Sequence, residues 1–200
     1  MREDSTDGRT IAAYDAHVDR YQQFADSLPD AAALEAFISH LPPSAEVLDL
    51  GCGSGAYAAA MEKRGLVVTA FDASPEMVRI AHQHYGIRAE CRGFHELEQT
   101  AAFDGVWANF SLLHARKAAM PRHLKAIRTA LRTAGILHLG LKLGTGERRD
   151  VLGRFYAYYT YDELHQRLAD SGFEIIQHRS GKGAGLAGVT EAFITLLARA

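Results

Sequence analysis

Cysteine is nearly absent from this 200-residue chain. Its two thiols, Cys52 and Cys91, are too few for a disulfide framework and fit a reducing cytoplasm. A surplus of charge is missing as well: 22 Lys+Arg face 24 Asp+Glu, for a net charge of −2. That balance gives no overall pull toward a phosphate backbone or an anionic membrane, so neither nucleic acid nor membrane is expected as a partner. Apolar runs fall well short of the ~18 residues a spanning helix needs. The first ten residues carry Glu3, Asp4 and Asp7 where an export signal would need a basic end followed by an apolar stretch. Internal repeats, low-complexity segments and linkers are lacking, and the ten histidines show no metal-ligand spacing. What remains, 48% hydrophobic and 23% charged side chains, describes one compact domain burying roughly 70% of its unfolded surface.

Residues 1–9 have no period and read as a mobile tail. Over 10–25, Ile11, Tyr14, Val18, Tyr21 and Phe24 recur at helical spacing. A second helix follows, with Asp30 as cap, Leu34, Phe37, Ile38 and Leu41 as stripe, and Pro42-Pro43 as terminator. Short apolar strands then alternate with helices. Strands are expected at 46–50, 66–71, 87–92, 103–109 and 135–143, and helices at 56–64, 75–85 and 121–132, with Ser74-Pro75 as cap and first-turn proline. Such βαβ units imply a Rossmann-like, doubly wound α/β fold with a mostly parallel sheet. The last third differs. Thr160 to Glu163 is a capping box, and strands at 173–178 and 191–198 are separated by a glycine-rich stretch too short for a crossover helix. Those two strands should pair antiparallel, completing seven strands with a C-terminal antiparallel hairpin.

The chemistry concentrates where the first strand turns into a helix, in Val-Leu-Asp-Leu-Gly-Cys-Gly-Ser-Gly from Val47 to Gly55. Glycines there let a ligand lie against the backbone, and the helix behind offers unpaired N–H groups. The second strand ends in Asp72, 21 residues after Gly51 and at the carboxyl edge of the neighbouring strand, where an acid suits a ribose diol. The pattern Gly51-x-Gly53-x-x-Ala56 also fits a dinucleotide fingerprint, so an NAD(P)-dependent oxidoreductase stays in view. Against it, Asp49 would repel a pyrophosphate and welcome a cation, and no second substrate domain is left for a hydride acceptor. A non-catalytic cofactor-binding module is a further alternative.

The run from Val47 to Gly55, with Phe71-Asp72-Ala73-Ser74 and Phe103 to Ala108, resembles the first, second and fourth motifs of class I S-adenosylmethionine-dependent methyltransferases. The resemblance covers 45–200 and leaves 1–44 as a tail and lid helices. Phe94 to Leu97, Leu112 to His114 and Gly153 to Tyr156 are similar to a tellurite-resistance-type subgroup of small bacterial methyltransferases. The resemblance implies that Asp49 and the backbone of Gly51, Cys52, Gly53 and Gly55 surround the methionine part of the cofactor. Asp72 would accept from the ribose hydroxyls, Ala73, Ser74 and Met77 would border the adenine, and Ala108 and Asn109 would lie near the methyl. Many members carry an acid after the third strand for the adenine amino group; here the loop reads Gly93-Phe94-His95, and Phe94 can stack on the ring. Tyr14 and Tyr21 share one helical stripe, which packing alone explains, although in similar enzymes such a helix lids the cofactor.

Transfer from a sulfonium chiefly requires alignment and exclusion of water, giving S-adenosylhomocysteine. A base is needed only for a protonated acceptor. His114, just past the fourth strand, is the catalytic candidate, with a packing role as the alternative. Residues 142–159 combine Lys142, Arg148, Arg149 and Arg154 with Phe155, Tyr156, Tyr158 and Tyr159, a composition suited to a small anionic or aromatic acceptor or simply to a solvated loop before an edge strand. The stretch 181–188 is either a flap over the site or a long hairpin loop. The expected protein is a cytoplasmic monomer or homodimer acting on a small molecule.

Overall fold

The computed structural model describes residues 7–25 and 31–200; Met1 to Thr6, the capping Asp30 and the side chain of Phe24 lie outside them. Three helices come first: α1 (Gly8–Ala16), α2 (Val18–Ala25) and α3 (Ala31–Ile38). The alternating segment follows as β1 (Glu46–Leu50), α4 (Ala56–Glu62), β2 (Val67–Asp72), α5 (Pro75–Tyr85), β3 (Glu90–Cys91), β4 (Phe103–Asn109), α6 (Met120–Ala130) and β5 (Leu131–Leu143). The chain ends with β6 (Glu147–Arg149), β7 (Phe155–Tyr159), α7 (Tyr161–Asp170), β8 (Glu174–Ala184) and β9 (Thr190–Arg199).

The strands β3, β2, β1, β4 and β5 run parallel in that order. Beyond β5 lie β9 and β8, each antiparallel to its neighbour, so the seven-stranded sheet with its terminal hairpin is present. Two short strands were not anticipated as a unit. β6 and β7 form an antiparallel hairpin, and β7 joins β5 through Lys142↔Tyr158 and Leu143↔Tyr159. It occupies the side of β5 that β4 vacates after Asn109↔Gly140.

Both faces of the sheet are covered, which the near-continuous apolar runs of parallel strands require. On one face, Leu124 and Ile127 of α6 and Leu164 and Leu168 of α7 pack on Leu48, Val106, Leu137 and Leu139. On the other, Leu34 and Phe37 of α3 and Met61 of α4 pack on Val47, Trp107 and Ile136. The Ser74 hydroxyl accepts from the Met77 N–H with Pro75 in the first turn, as read; the Thr160 hydroxyl accepts from the Glu163 N–H, but the expected capping box is only half made, since the Glu163 carboxylate accepts from Lys117 and Arg167 instead.

The N-terminus needs two corrections. Asp7, Gly8 and Arg9 are not tail: Asp7 caps α1, accepting from the Thr10 N–H at 2.9 Å and its hydroxyl at 2.6 Å. The expected single helix over 10–25 is broken at His17, where φ is −122°. The break still leaves Tyr21 edge-on to Tyr14, with ring centroids 5.4 Å apart. At the other end, β8 and β9 extend further than expected and reduce the loop to a turn, with Gly185 and Val189 hydrogen-bonded across it.

Candidate active site

A cavity of about 470 Å³ opens over the carboxyl ends of β1, β2, β4 and β5, within the range of small-molecule sites. Its floor is the glycine turn. Gly51 has φ of +79°, and a Cβ there would lie 2.4 Å from the Ser111 Cβ. Ser111 is held in place by donating its hydroxyl to the Leu50 carbonyl at 2.6 Å. Gly53 has φ of +54°, and a Cβ would lie 2.5 Å from the Tyr21 hydroxyl. Both positions therefore need glycine twice over, for backbone freedom and for space. The Gly51 and Cys52 N–H groups donate to the Phe71 carbonyl, tying the turn to β2. Gly55 is left-handed at the start of α4 and does not line the cavity.

Asp72 ends β2 and faces this turn, accepting from the Gly53 N–H at 2.8 Å and the Ser74 N–H at 2.9 Å. Burial raises its carboxyl pKa, and those backbone donors work against the rise. Asp49 is buried 2% exposed at the end of β1, and its Oδ2 has no hydrogen-bond partner among the described residues. Burial first, then the Asp72 charge, push its carboxyl up to about 8. A buried carboxyl with one oxygen unpartnered in the cavity wall is a seat for a cationic group, so these residues fit a sulfonium nucleoside. Ala73, Ser74, Met77 and Phe94 line the same end. Cys52 lines it too, with a buried thiol whose pKa is raised well above the usual range, mainly by burial.

Thr10, Ile11, Tyr14 and Tyr21 form the roof. The roof is fastened to the β6–β7 hairpin. Arg149 donates to both carboxylate oxygens of Asp7 at 2.8 Å, and the Phe155 N–H donates to the Thr10 hydroxyl at 2.9 Å. It is also tied to α5 through Ser74, which donates to Asp15 at 2.5 Å. Beneath it, Tyr14 meets His114 Nε2 at 2.8 Å, and His114 Nδ1 lies 2.6 Å from the Phe155 carbonyl. That carbonyl can only accept, so Nδ1 carries the proton and Nε2 is the acceptor for the Tyr14 hydroxyl. Burial lowers the His114 pKa to about 4, leaving a neutral imidazole at pH 7. Arg154, buried and paired with Asp150, donates to the Tyr14 oxygen at 3.2 Å.

Of the residues singled out in the sequence, Ala108 lies in the core below the cavity, whereas Asn109 lines it and accepts from His138 Nε2 at 3.0 Å. Tyr156 and Arg154 line the cavity. Arg148 and Arg149 do not: Arg149 holds the roof, and Arg148 lies over the Tyr158 ring at 3.6 Å. The glycine-rich stretch is the tip of the β8–β9 hairpin, and its Gly183, Ala184, Gly185 and Leu186 line the cavity. Sequence reasoning missed Phe110, Ser111, Lys182, Glu191 and Phe193, all of which line it. Phe110 has φ of +54°, a left-handed conformation costing a bulky residue about 1–2 kcal/mol, and its N–H donates to the Gly140 carbonyl at 3.0 Å. No signal in the one-dimensional pattern marks such a residue.

Residues 47–135 match the methyltransferase domain family. The chain is 38% identical over 80 residues to a ubiquinone biosynthesis O-methyltransferase of Xanthomonas axonopodis pv. citri, a stretch covering 36% of this chain and 34% of that protein. The match thus spans about a third of that relative's length. Among solved structures, a 1,6-didemethyltoxoflavin-N1-methyltransferase of Burkholderia thailandensis, with bound 1,6-didemethyltoxoflavin and S-adenosylhomocysteine, is 26% identical, with a TM-score of 0.72, covering 94% of this chain and 87% of that one. A SAM-dependent methyltransferase from Methanosarcina mazei shares the fold at 20% identity, with a TM-score of 0.73 and coverage of 82% and 96%. Fold, glycine turn and domain match make this chain similar to methyltransferase domains of the class I type, one of which holds S-adenosylhomocysteine.

Proposed function

We propose that the protein transfers a methyl group from S-adenosylmethionine to a small-molecule acceptor and releases S-adenosylhomocysteine. The observation that carries this reading is the buried Asp49 and the half-buried Asp72 framing one glycine turn at the floor of a cavity that continues past Asn109 to His114. The name of the Xanthomonas relative favours oxygen as the acceptor atom. When bound beside Asp49 and the glycine turn, S-adenosylmethionine would supply an activated sulfonium methyl for the acceptor oxygen, leaving S-adenosylhomocysteine.

The protein's part is placement and proton handling. Asp49 and the backbone of the turn hold the methionine portion; Asp72 accepts from the ribose hydroxyls; Ala73, Ser74, Met77 and Phe94 border the adenine. Tyr14 and Tyr21 exclude water from above. His114 takes the acceptor's proton through Tyr14, whose hydroxyl proton passes to Nε2 as its oxygen receives one from the acceptor. The Phe155 carbonyl steadies the resulting imidazolium at Nδ1. Within 1–44, α1 and α2 serve as the lid helices of a domain over 45–200, and the reaction belongs to the cytoplasm, in keeping with free Cys52 and Cys91. Among the described residues no helix is long and apolar enough to cross a membrane. The tellurite-resistance subgroup is supported by the three short motifs alone.

Thermal unfolding in the presence of ligands tests the reading, because a saturating ligand raises stability by RT ln(1 + [L]/Kd). S-adenosylhomocysteine should raise Tm and NAD(H) or NADP(H) should not; the reverse would favour an oxidoreductase. Radiolabelled methyl transfer to hydroxylated acceptors then separates an enzyme from a binding module.

A further inference from the structure

The end of the cavity away from Asp49 and Asp72 has a different chemistry. Its wall is aromatic: Phe110 and Phe193 stand edge to face, with centroids 5.7 Å apart. Phe110 follows Asn109 directly, and both line the cavity. Strand β8 lies against the same wall: Gly181 pairs with Phe193 across the β8–β9 ladder, and a Cβ there would be 2.8 Å from its ring.

Above this wall the charge is positive. The Lys142 ammonium sits 3.8 Å from the Tyr156 centroid and pairs with Glu191. Glu191 is the acid at this end, and it is already committed, accepting also from the Tyr158 hydroxyl at 2.8 Å and from Arg148 at 3.5 Å. Lys142 and Arg148 thus share one carboxylate. Lys182 also lines the cavity, from the exposed edge of β8, and has no ion-pair partner among the described residues. One end of the cavity therefore carries the acids Asp49 and Asp72 and the other a surplus of cations around aromatic rings.

Resting on the methyl-transfer reading, we infer that the acceptor is a flat hydroxylated aromatic molecule bearing a fixed anionic substituent, its ring held by Phe110 and Phe193 and its anion facing Lys142 and Lys182. Such a molecule matches both features at once: edge and face contacts for the ring, and charge complementarity for the substituent. It is also drawn toward a cationic cofactor, whereas a cationic acceptor is repelled by cofactor and lysines alike.

Calorimetric titration of the S-adenosylhomocysteine-saturated protein with three naphthalene probes tests this. The probes are 3-hydroxy-2-naphthoate, neutral 2-naphthol and cationic 2-naphthylmethylammonium. The expected result is that the hydroxynaphthoate binds about tenfold tighter than either, as two partly exposed charge contacts allow. K182E should cut that preference about fivefold and K182R should keep it, with S-adenosylhomocysteine affinity reporting an intact cofactor seat in both. Equal binding of the three probes, or a preference untouched by K182E, would overturn the acceptor class while the methyl-transfer reading stood. A wild-type protein that takes up no S-adenosylhomocysteine would overturn both.

Discussion

Asp49 holds its proton in the empty protein, and a cation placed against it should drive that proton off. With its pKa at about 8, the carboxyl is about 90% protonated at pH 7. Binding of a cationic ligand next to the unpartnered Oδ2 lowers this pKa; a fall to about 6 or below would release most of one proton at pH 7. Affinity then rises with pH up to about 8, by as much as tenfold per unit, and a shift of two units corresponds to about 2.7 kcal/mol. The assay is calorimetric titration of S-adenosylmethionine at pH 7 in phosphate and in Tris, whose ionisation enthalpies differ. The dependence of the observed heat on buffer should give close to one proton released by the wild type, and D49N should lose that release. Identical heats in both buffers for the wild type would refute the reasoning. Stability of the empty protein follows the same group. The folded chain keeps a proton that the unfolded chain gives up near pH 3.8, so this carboxyl makes stability fall as pH rises from about 4 to about 8.

Asp72→Ala should weaken S-adenosylhomocysteine binding at least about 30-fold, since it removes the ribose acceptor and the partner of two backbone N–H groups; equilibrium binding unchanged within twofold would discard the ribose assignment. Gly53→Ala places a methyl against the Tyr21 hydroxyl and forces an alanine into left-handed backbone, at a cost of about 1–3 kcal/mol, to be read from denaturant unfolding. Arg149→Ala frees Asp7 and unfastens one of the roof's attachments, and for this half-buried pair about 1 kcal/mol is expected, appearing as faster cofactor dissociation in stopped-flow. His114 lowered to about 4 and His138 lowered to about 3, both by burial, add stability that is lost as pH falls from about 6.5 through these values; H138Q should show a shallower acid-unfolding profile, and an identical one would dismiss the contribution.

The end of the cavity around the glycine turn was legible because its geometry is local. The glycine turn, Asp49 and Asp72 lie where strands end, and strand ends follow from the alternation of apolar runs with capped helices. Ser74-Pro75 and Thr160 mark helix starts through contacts within one turn, so their reading survives in three dimensions. The acceptor half was legible only in part, because it is assembled across the chain. Phe110 meets Phe193 because β9 pairs with β5 along its whole upper half, and no spacing along the sequence encodes that register. The arginines at 148 and 149 look like a binding patch when read in order; folded, they brace Tyr158 and Asp7. His17 breaks the first helix within an otherwise regular stripe, and hydrophobic period is blind to such a break.

The helix α1 touches both halves of the cavity at once. Its Tyr14 sits on His114 at the acceptor side, its Asp15 bonds Ser74 at the nucleoside side, and its first turn is clasped by Arg149. Disengaging this one segment uncovers donor and acceptor pockets in a single event. Occupancy of either pocket that favours the engaged helix must favour, by the same free energy, occupancy of the other.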